Sequence, residues 1–350
     1  MQIILDDTNV YEQLYPFAVV QHAANIRIGI LTIKEKWELI LGQEVKLKGQ
    51  HITKGNEEAD CILVDANIIP TKEWVANLLS SATVDTTVQE SHLSKKLECS
   101  ADIFKYNDWA LRQDFNLFTC NRASEKISNS NTSINPSAIF IEKGAQIEHC
   151  ILNASEGPIY IGKNALVMEG SMLRGPISIG EGAVVKMGTK LYGASTIGPF
   201  CIAGGEIKNS VLFEYSNKAH DGYLGDSVIG SWCNLGAGTS NSNLQNDAGQ
   251  IKSWDNKKQA FVPIGIKCGL LMGDYSRAAI NTSFNTGTVV GICCNVFERG
   301  FPPKFIPDFS WGSDRYRLDQ VFEHIDNWKK LKGKSITKEE KEKLENLYQQ

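Results

Sequence analysis

Seven aliphatic residues, Ile161, Val167, Leu173, Ile179, Val185, Leu191 and Ile197, stand six apart without a break. Four places after each come Ala165, Ser171, Ile177, Ala183, Thr189, Ser195 and Cys201, all small except Ile177. A period of six matches neither the 3.6 of an α-helix nor the 2 of an ordinary strand. It is the mark of a hexapeptide repeat, which winds a parallel β-helix with one hexad on each flat face of a triangular coil. The aliphatic residue points into the prism, and the small one sits where the chain turns a corner. The expected fold of this half of the chain is a left-handed parallel β-helix.

The period sets the organisation. Residues 1–133 lack it and read as a small α/β domain: strands at Met1–Leu5 and Cys61–Val64, helices at Ile33–Leu41 and Trp74–Leu79. Ser124–Asn135, rich in Ser and Asn, reads as a linker. The prism is expected over 134–310, with early hexads at Ile141 and Ile147 and an insertion at Asn153–Pro158. Further hexads fall at Ile229, Leu235, Phe284, Val290 and Val296. The polar, off-period run Asn246–Pro263 reads as a protruding loop, and Phe301–Trp311, with three prolines, as the end of the coil. Over 311–350, Leu318, Val321, Phe322, Ile325, Trp328 and Leu331 have helical spacing and predict a C-terminal helical tail.

Composition narrows the partners. A net charge of −4 argues against nucleic acid. No apolar window of about 18 residues predicts a membrane span, and the N-terminus does not read as a signal peptide. Nine scattered cysteines without a Cys-x-x-Cys pair suit a reducing cytoplasm. Cys201 and Cys233, at small-residue positions, read as core filler.

One polar stretch interrupts the hexads: Glu206-Ile-Lys208-Asn209, His220-Asp-Gly-Tyr223-Leu-Gly-Asp226, Ile229-Gly, Asn234-Leu-Gly-Ala-Gly-Thr239 and Asn243. The stability of a coil gives little reason for His, Lys and Glu here, although a corner or surface histidine is the plain alternative. This stretch resembles the acetyltransferase half of the bifunctional N-acetylglucosamine-1-phosphate uridyltransferase/glucosamine-1-phosphate acetyltransferase family. The likeness includes the twelve residues from Lys208 to His220. The whole chain is also similar to a shorter Bacteroidetes-type group of sugar nucleotidyltransferase-like proteins, through Gly157-Pro-Ile-Tyr-Ile-Gly, Ser216-Asn-Lys-Ala-His-Asp-Gly and Phe284-Asn-Thr-Gly-Thr-Val-Val-Gly.

The resemblance implies a set of roles. His220 would be the general base that deprotonates a sugar amine, with Glu206 orienting it. Lys208 would hold a phosphate, Tyr223 and Asn234 the sugar, and Asn243 the substrate or the oxyanion. It also implies acetyl-CoA as donor, an amino sugar phosphate as acceptor and a homotrimer. Arg277 and Lys304 are candidates for the coenzyme phosphates, with surface salt bridges as the alternative. Leu244 stands where the family usually has Tyr.

In that family the first domain opens with a glycine-rich phosphate loop. Here Ile3-Ile-Leu5 runs into Asp6-Asp-Thr-Asn-Val, without glycine. Arg27, Lys34 and Asp65 remain as nucleotide or metal candidates, against a reading as a helix face and a strand-end turn. Mg2+ is expected only if nucleotidyl transfer survives, and no other metal site is indicated. Three readings stay open: amino sugar N-acetyltransferase, sugar-1-phosphate nucleotidyltransferase with the coil used for assembly, and non-catalytic trimeric scaffold. A zinc carbonic anhydrase needs three convergent histidines, and only His149 and His220 lie in the coil.

Overall fold

A computed structural model describes residues 2–49, 61–80 and 93–350. From Thr132 onward the chain winds a three-sided parallel β-solenoid whose faces are sheets of ten, nine and six strands. It visits them in turn: Thr132–Ile134 on the six-stranded face, Ile139–Ile141 on the nine, Gln146–Ile147 on the ten, and round again. The hexads set this register. Leu166 pairs with Val184 and Val184 with Ile202, 18 positions at each step, so three hexads close one rung.

Ile161, Val167, Leu173, Ile179, Val185, Leu191 and Ile197 all point inward and are at most 1% exposed. Each contributes roughly 1.5–3 kcal/mol of burial. The small residues are small for a reason beyond volume. Thr189 and Ser171 both donate their hydroxyls to the Lys186 carbonyl, at 2.6 and 2.9 Å, and so satisfy a backbone acceptor at the turn. Cys201 and Cys233 are buried filler, and all nine cysteines are free.

Three regions differ from the sequence reading. The last residues of the expected linker form the first rung: Thr132–Ile134 pair with Ile151–Asn153. Its Ser and Asn residues serve that end of the coil, with Asn131 donating to Ile147 O at 2.7 Å and Ser128 to Glu148 at 2.7 Å. The protruding run is an antiparallel hairpin, Ile251–Asp255 with Ala260–Gly265. The proline segment adds one more rung, Phe305–Ile306 pairing with Val289–Val290.

The N-terminal domain has a three-stranded parallel sheet, with Gln2–Asp6 between Lys46–Lys48 and Cys61–Asp65. Met1 lies outside the described residues. The helix Ile33–Leu41 starts at a capping box between Thr32 and Glu35 and stops at Gly42, whose φ of +67° suits glycine. The domain's core merges with the nine-stranded face: Phe17 packs on Phe213 at 5.4 Å, beside Val211, Val228, Leu271 and Val289. Two hydrogen bonds fix the contact, Thr196 Oγ1 to Gly29 O at 2.8 Å and Asn107 Nδ2 to Ala194 O at 2.7 Å.

The tail is two helices, Leu318–Lys330 and Lys338–Gln349. They pack over the corner between the nine- and ten-stranded faces. The six-stranded face is left bare, with Ile134, Ile151 and Met172 each more than 40% exposed. No helix among the described residues is long and apolar enough to cross a membrane.

Candidate functional site

Strand alternation puts Glu206 and Lys208 on the outer side of the six-stranded face, with Ile207 in the core. Glu206 lies between Lys190 and Tyr223, and Lys208 between Tyr192 and Gly225. The Glu206 carboxylate accepts a hydrogen bond of 2.5 Å from the Tyr192 hydroxyl, and the Lys208 ammonium lies 5.7 Å from the centre of the same ring.

Asn243 donates to the Tyr223 hydroxyl at 3.2 Å and also to Asp226. The other oxygen of Asp226 accepts from Asn209 at 2.6 Å. Burial, then Asp226, then Glu206 push the Tyr223 phenol up to about 12. Its hydrogen bond to Glu206 raises Tyr192 to about 12 as well. Both phenols are therefore neutral donors near pH 7.

His220 is exposed on the corner that leads from the ten-stranded face into the Tyr223 strand. Gly204 and Gly205 on the previous rung press against its main chain. A Cβ on Gly204 would lie 2.4 Å from Ala219 O, and one on Gly205, where φ is +75°, 2.8 Å from His220 O. A shallow cavity of about 510 Å³ continues the bare face from Tyr192 and Lys190 to Met172 and Ile151. A larger one, about 700 Å³, lies at the far end of the coil among Tyr11, Phe305, Asp308 and Arg315, away from these groups.

The remaining candidates lie elsewhere. Asn234 is on the ten-stranded face, between Asn217 and Arg277. Arg277 does not present an open cation. It is 9% exposed, 5.4 Å from the Trp328 ring of the tail, and burial lowers its pKa. Lys304 precedes a strand of the nine-stranded face, so the two do not form one phosphate site within a chain.

In the N-terminal domain, Arg27 bonds Ile30 O at 2.6 Å, and Lys34 pairs with Glu38 at 2.9 Å. Lys36 is the buried lysine of that helix, paired with Asp114, which also accepts from the amides of Ile30 and Leu31. This run thus holds a β-turn against the Asn107–Thr119 helix. Asp65 pairs across the sheet with Asp6, at the strand ends where α/β sheets bind ligands. Each already faces a lysine, however: Lys96 lies 3.0 Å from Asp65 and Lys48 3.6 Å from Asp6. This donor set does not fit a divalent cation, and no group of three His, Cys, Asp or Glu among the described residues could hold one.

The sequence reading gave no role to Tyr192, Asn209, Asp226 or Lys218. The regular count misses Tyr192, because 18 positions back from Lys208 is Lys190 and the rung between Tyr192 and Lys208 takes only 16.

Residues 2–95 match the family described as sugar nucleotidyl transferase. The bifunctional protein GlmU of Methanocaldococcus jannaschii is 37% identical over 89 residues, 25% of this chain and 21% of the relative. GlmU of Methanococcus maripaludis strain C5 is 37% identical over 86 residues, 25% and 20% of the two chains. A bifunctional sugar-1-phosphate nucleotidylyltransferase/acetyltransferase of Sulfurisphaera tokodaii is 36% identical over 93 residues, 26% and 23%. The matches span about a fifth of the length of these relatives. The chain is thus similar in part to bifunctional sugar-phosphate transferases, and it opens with a sugar nucleotidyl transferase-type segment.

Proposed function

We propose that this protein is an acetyl-CoA-dependent N-acetyltransferase acting on an amino sugar phosphate, with its site on the solenoid at 134–310. The observation that carries the reading is that Glu206, Lys208 and Tyr223 share the six-stranded face, with Asn243 bonded to Tyr223, beside the corner whose main chain carries His220. The amine nitrogen attacks the thioester carbonyl carbon, the C–S bond breaks, and the thiolate of CoA leaves. His220 takes the proton from nitrogen, the part an imidazole most often plays in general base catalysis. Lys208 holds the phosphate as a point charge, while Tyr223 and Asn243 supply donors to the sugar or the oxyanion. Glu206 is held by Tyr192 and acts on the imidazole through charge. Asn234 faces another side of the coil, and a sugar contact there needs the substrate to reach round the corner. A second and third copy against the bare six-stranded face would wall the site, consistent with a homotrimer.

The assay is release of free CoA from acetyl-CoA with a panel of amino sugars and their 1-phosphates. Acceptor-dependent release that falls about 10²–10⁴-fold in His220→Ala, with melting unchanged, supports the reading. A variant of near-full rate removes His220 as base.

A second reading, nucleotidyl transfer by residues 1–133, is favoured by the family match of residues 2–95. Against it stand the glycine-free turn after the first strand and the lysines on Asp6 and Asp65. Pyrophosphate release from nucleoside triphosphates with Mg2+ and sugar 1-phosphates tests it.

A further inference from the structure

Along one inward ladder of the ten-stranded face, Val185 pairs with Ala203 and Ala203 with Lys218. The later rungs place Leu235, Ala278 and Val296 there. Lys218 is thus a lysine in an aliphatic position, 1% exposed. Its ammonium donates to Gly204 O at 3.2 Å and to His220 O. It has no ion-pair partner among the described residues, and Asp221 is the charge that acts on it from nearby.

Coil stability gives no reason for this residue. A buried amine without a counter-ion costs free energy, and an apolar side chain of similar volume is often neutral or better. The local backbone does give one. On a regular rung the corner carbonyl, Lys186 O, is tied by the hydroxyls of Ser171 and Thr189. The equivalent carbonyl one rung on is Gly204 O, because Val185 pairs with Ala203. That rung is also short: Ile202 pairs with Asn217, 15 positions on, where regular rungs take 18. Gly204-Gly205-Glu206 has no hydroxyl residue at the corner. The amine of Lys218 replaces it from inside and bridges two successive corners, one leading into the Glu206–Lys208 strand and the other carrying His220.

We infer that Lys218 is a positioning residue, holding from within the coil the corner on which His220 meets substrate. This rests on the acyltransfer reading. Burial pushes the amine down to about 8.

The test uses Lys218→Met, of similar length but without donors, and Lys218→Leu, which copies the next rung. Expected is a melting temperature unchanged or higher, with kcat about 10–100-fold lower and both KM values within about twofold. The loss should vanish in a His220→Asn background, because Lys218 acts through His220. A second readout needs no activity. In 13C-histidine spectra, the His220 signal, assigned by its loss in His220→Ala, should shift or broaden in both variants. An unmoved signal overturns the inference, as does a kcat loss of equal size with and without His220. Failure of both variants to fold also overturns it, since the amine would then hold the prism. If the wild type acylates nothing, the functional reading fails, and the His220 signal still decides the role of Lys218.

Discussion

Asp226 is 4% exposed, and its two oxygens accept from two amides, Asn209 and Asn243. Asp226→Ala leaves both donors without their acceptor and should cost about 1–3 kcal/mol in denaturant unfolding. Lys208 lies on an open face and would bind phosphate alike in ground and transition states. Lys208→Ala should therefore raise the acceptor KM more than it lowers kcat in steady-state kinetics, and the reverse pattern would move Lys208 into the chemistry. Glu206 and Lys208 were legible as a pair because strand alternation gives residues two apart the same face. Asn234 was not, because a linear motif does not say on which of three faces its parts fall. Arg277 looked free because what buries it, Trp328, is 51 positions away.

At the scale of elements, the hexads gave the coil because the inward positions, Lys218 apart, are apolar at a fixed spacing, while what lies outside the coil obeys no period. The corner beneath the tail is an example. Phe200, Tyr215, Trp232 and Tyr275 occupy it on successive rungs with φ near +60°. Phe200 stacks on Tyr215 at 5.0 Å and Tyr215 on Trp232 at 4.2 Å. Lys329 of the tail lies over Trp232 at 5.3 Å and Tyr275 at 5.8 Å, and it pairs with Glu340. Lys329→Met should destabilise the protein by roughly 1–3 kcal/mol through the lost ion pair and ring contacts, while Glu340 keeps its bonds from Tyr275 and Thr337.

Asp274 stands beside this ladder, accepting from Ser231 N at 2.7 Å, and burial raises its carboxyl to about 7. An unfolded aspartate titrates near 3.9. Between these values the folded chain keeps a proton that the unfolded chain has lost. The contribution of Asp274 is therefore full below about pH 4 and is lost as pH rises through about 7. Asp274→Asn has no such proton, so its denaturant midpoint should fall less than the wild type's between about pH 5 and 8. Parallel curves would refute this.

Over the whole molecule, the N-terminal domain and the solenoid share one core, so neither presents a finished surface alone. Residues 134–350 expressed alone would expose Val211, Phe213, Val228, Leu271 and Val289, and light scattering should detect association. The sequence divided the chain by its period and was silent on this contact, since the outer face of a rung carries no repeat. The short rung has a further consequence. A deletion inside a flat strand turns every later aliphatic residue outward, whereas the positions missing from this rung are lost at its corners, two between Ala203 and Glu206 and one between Lys208 and Val211, and Ile207, Leu212 and Leu224 still point inward. The hairpin enters between Asn241 and Leu270 with the same indifference. Gene variants of this protein should therefore change length at corners or by whole rungs, with the flat strands conserved in length on either side.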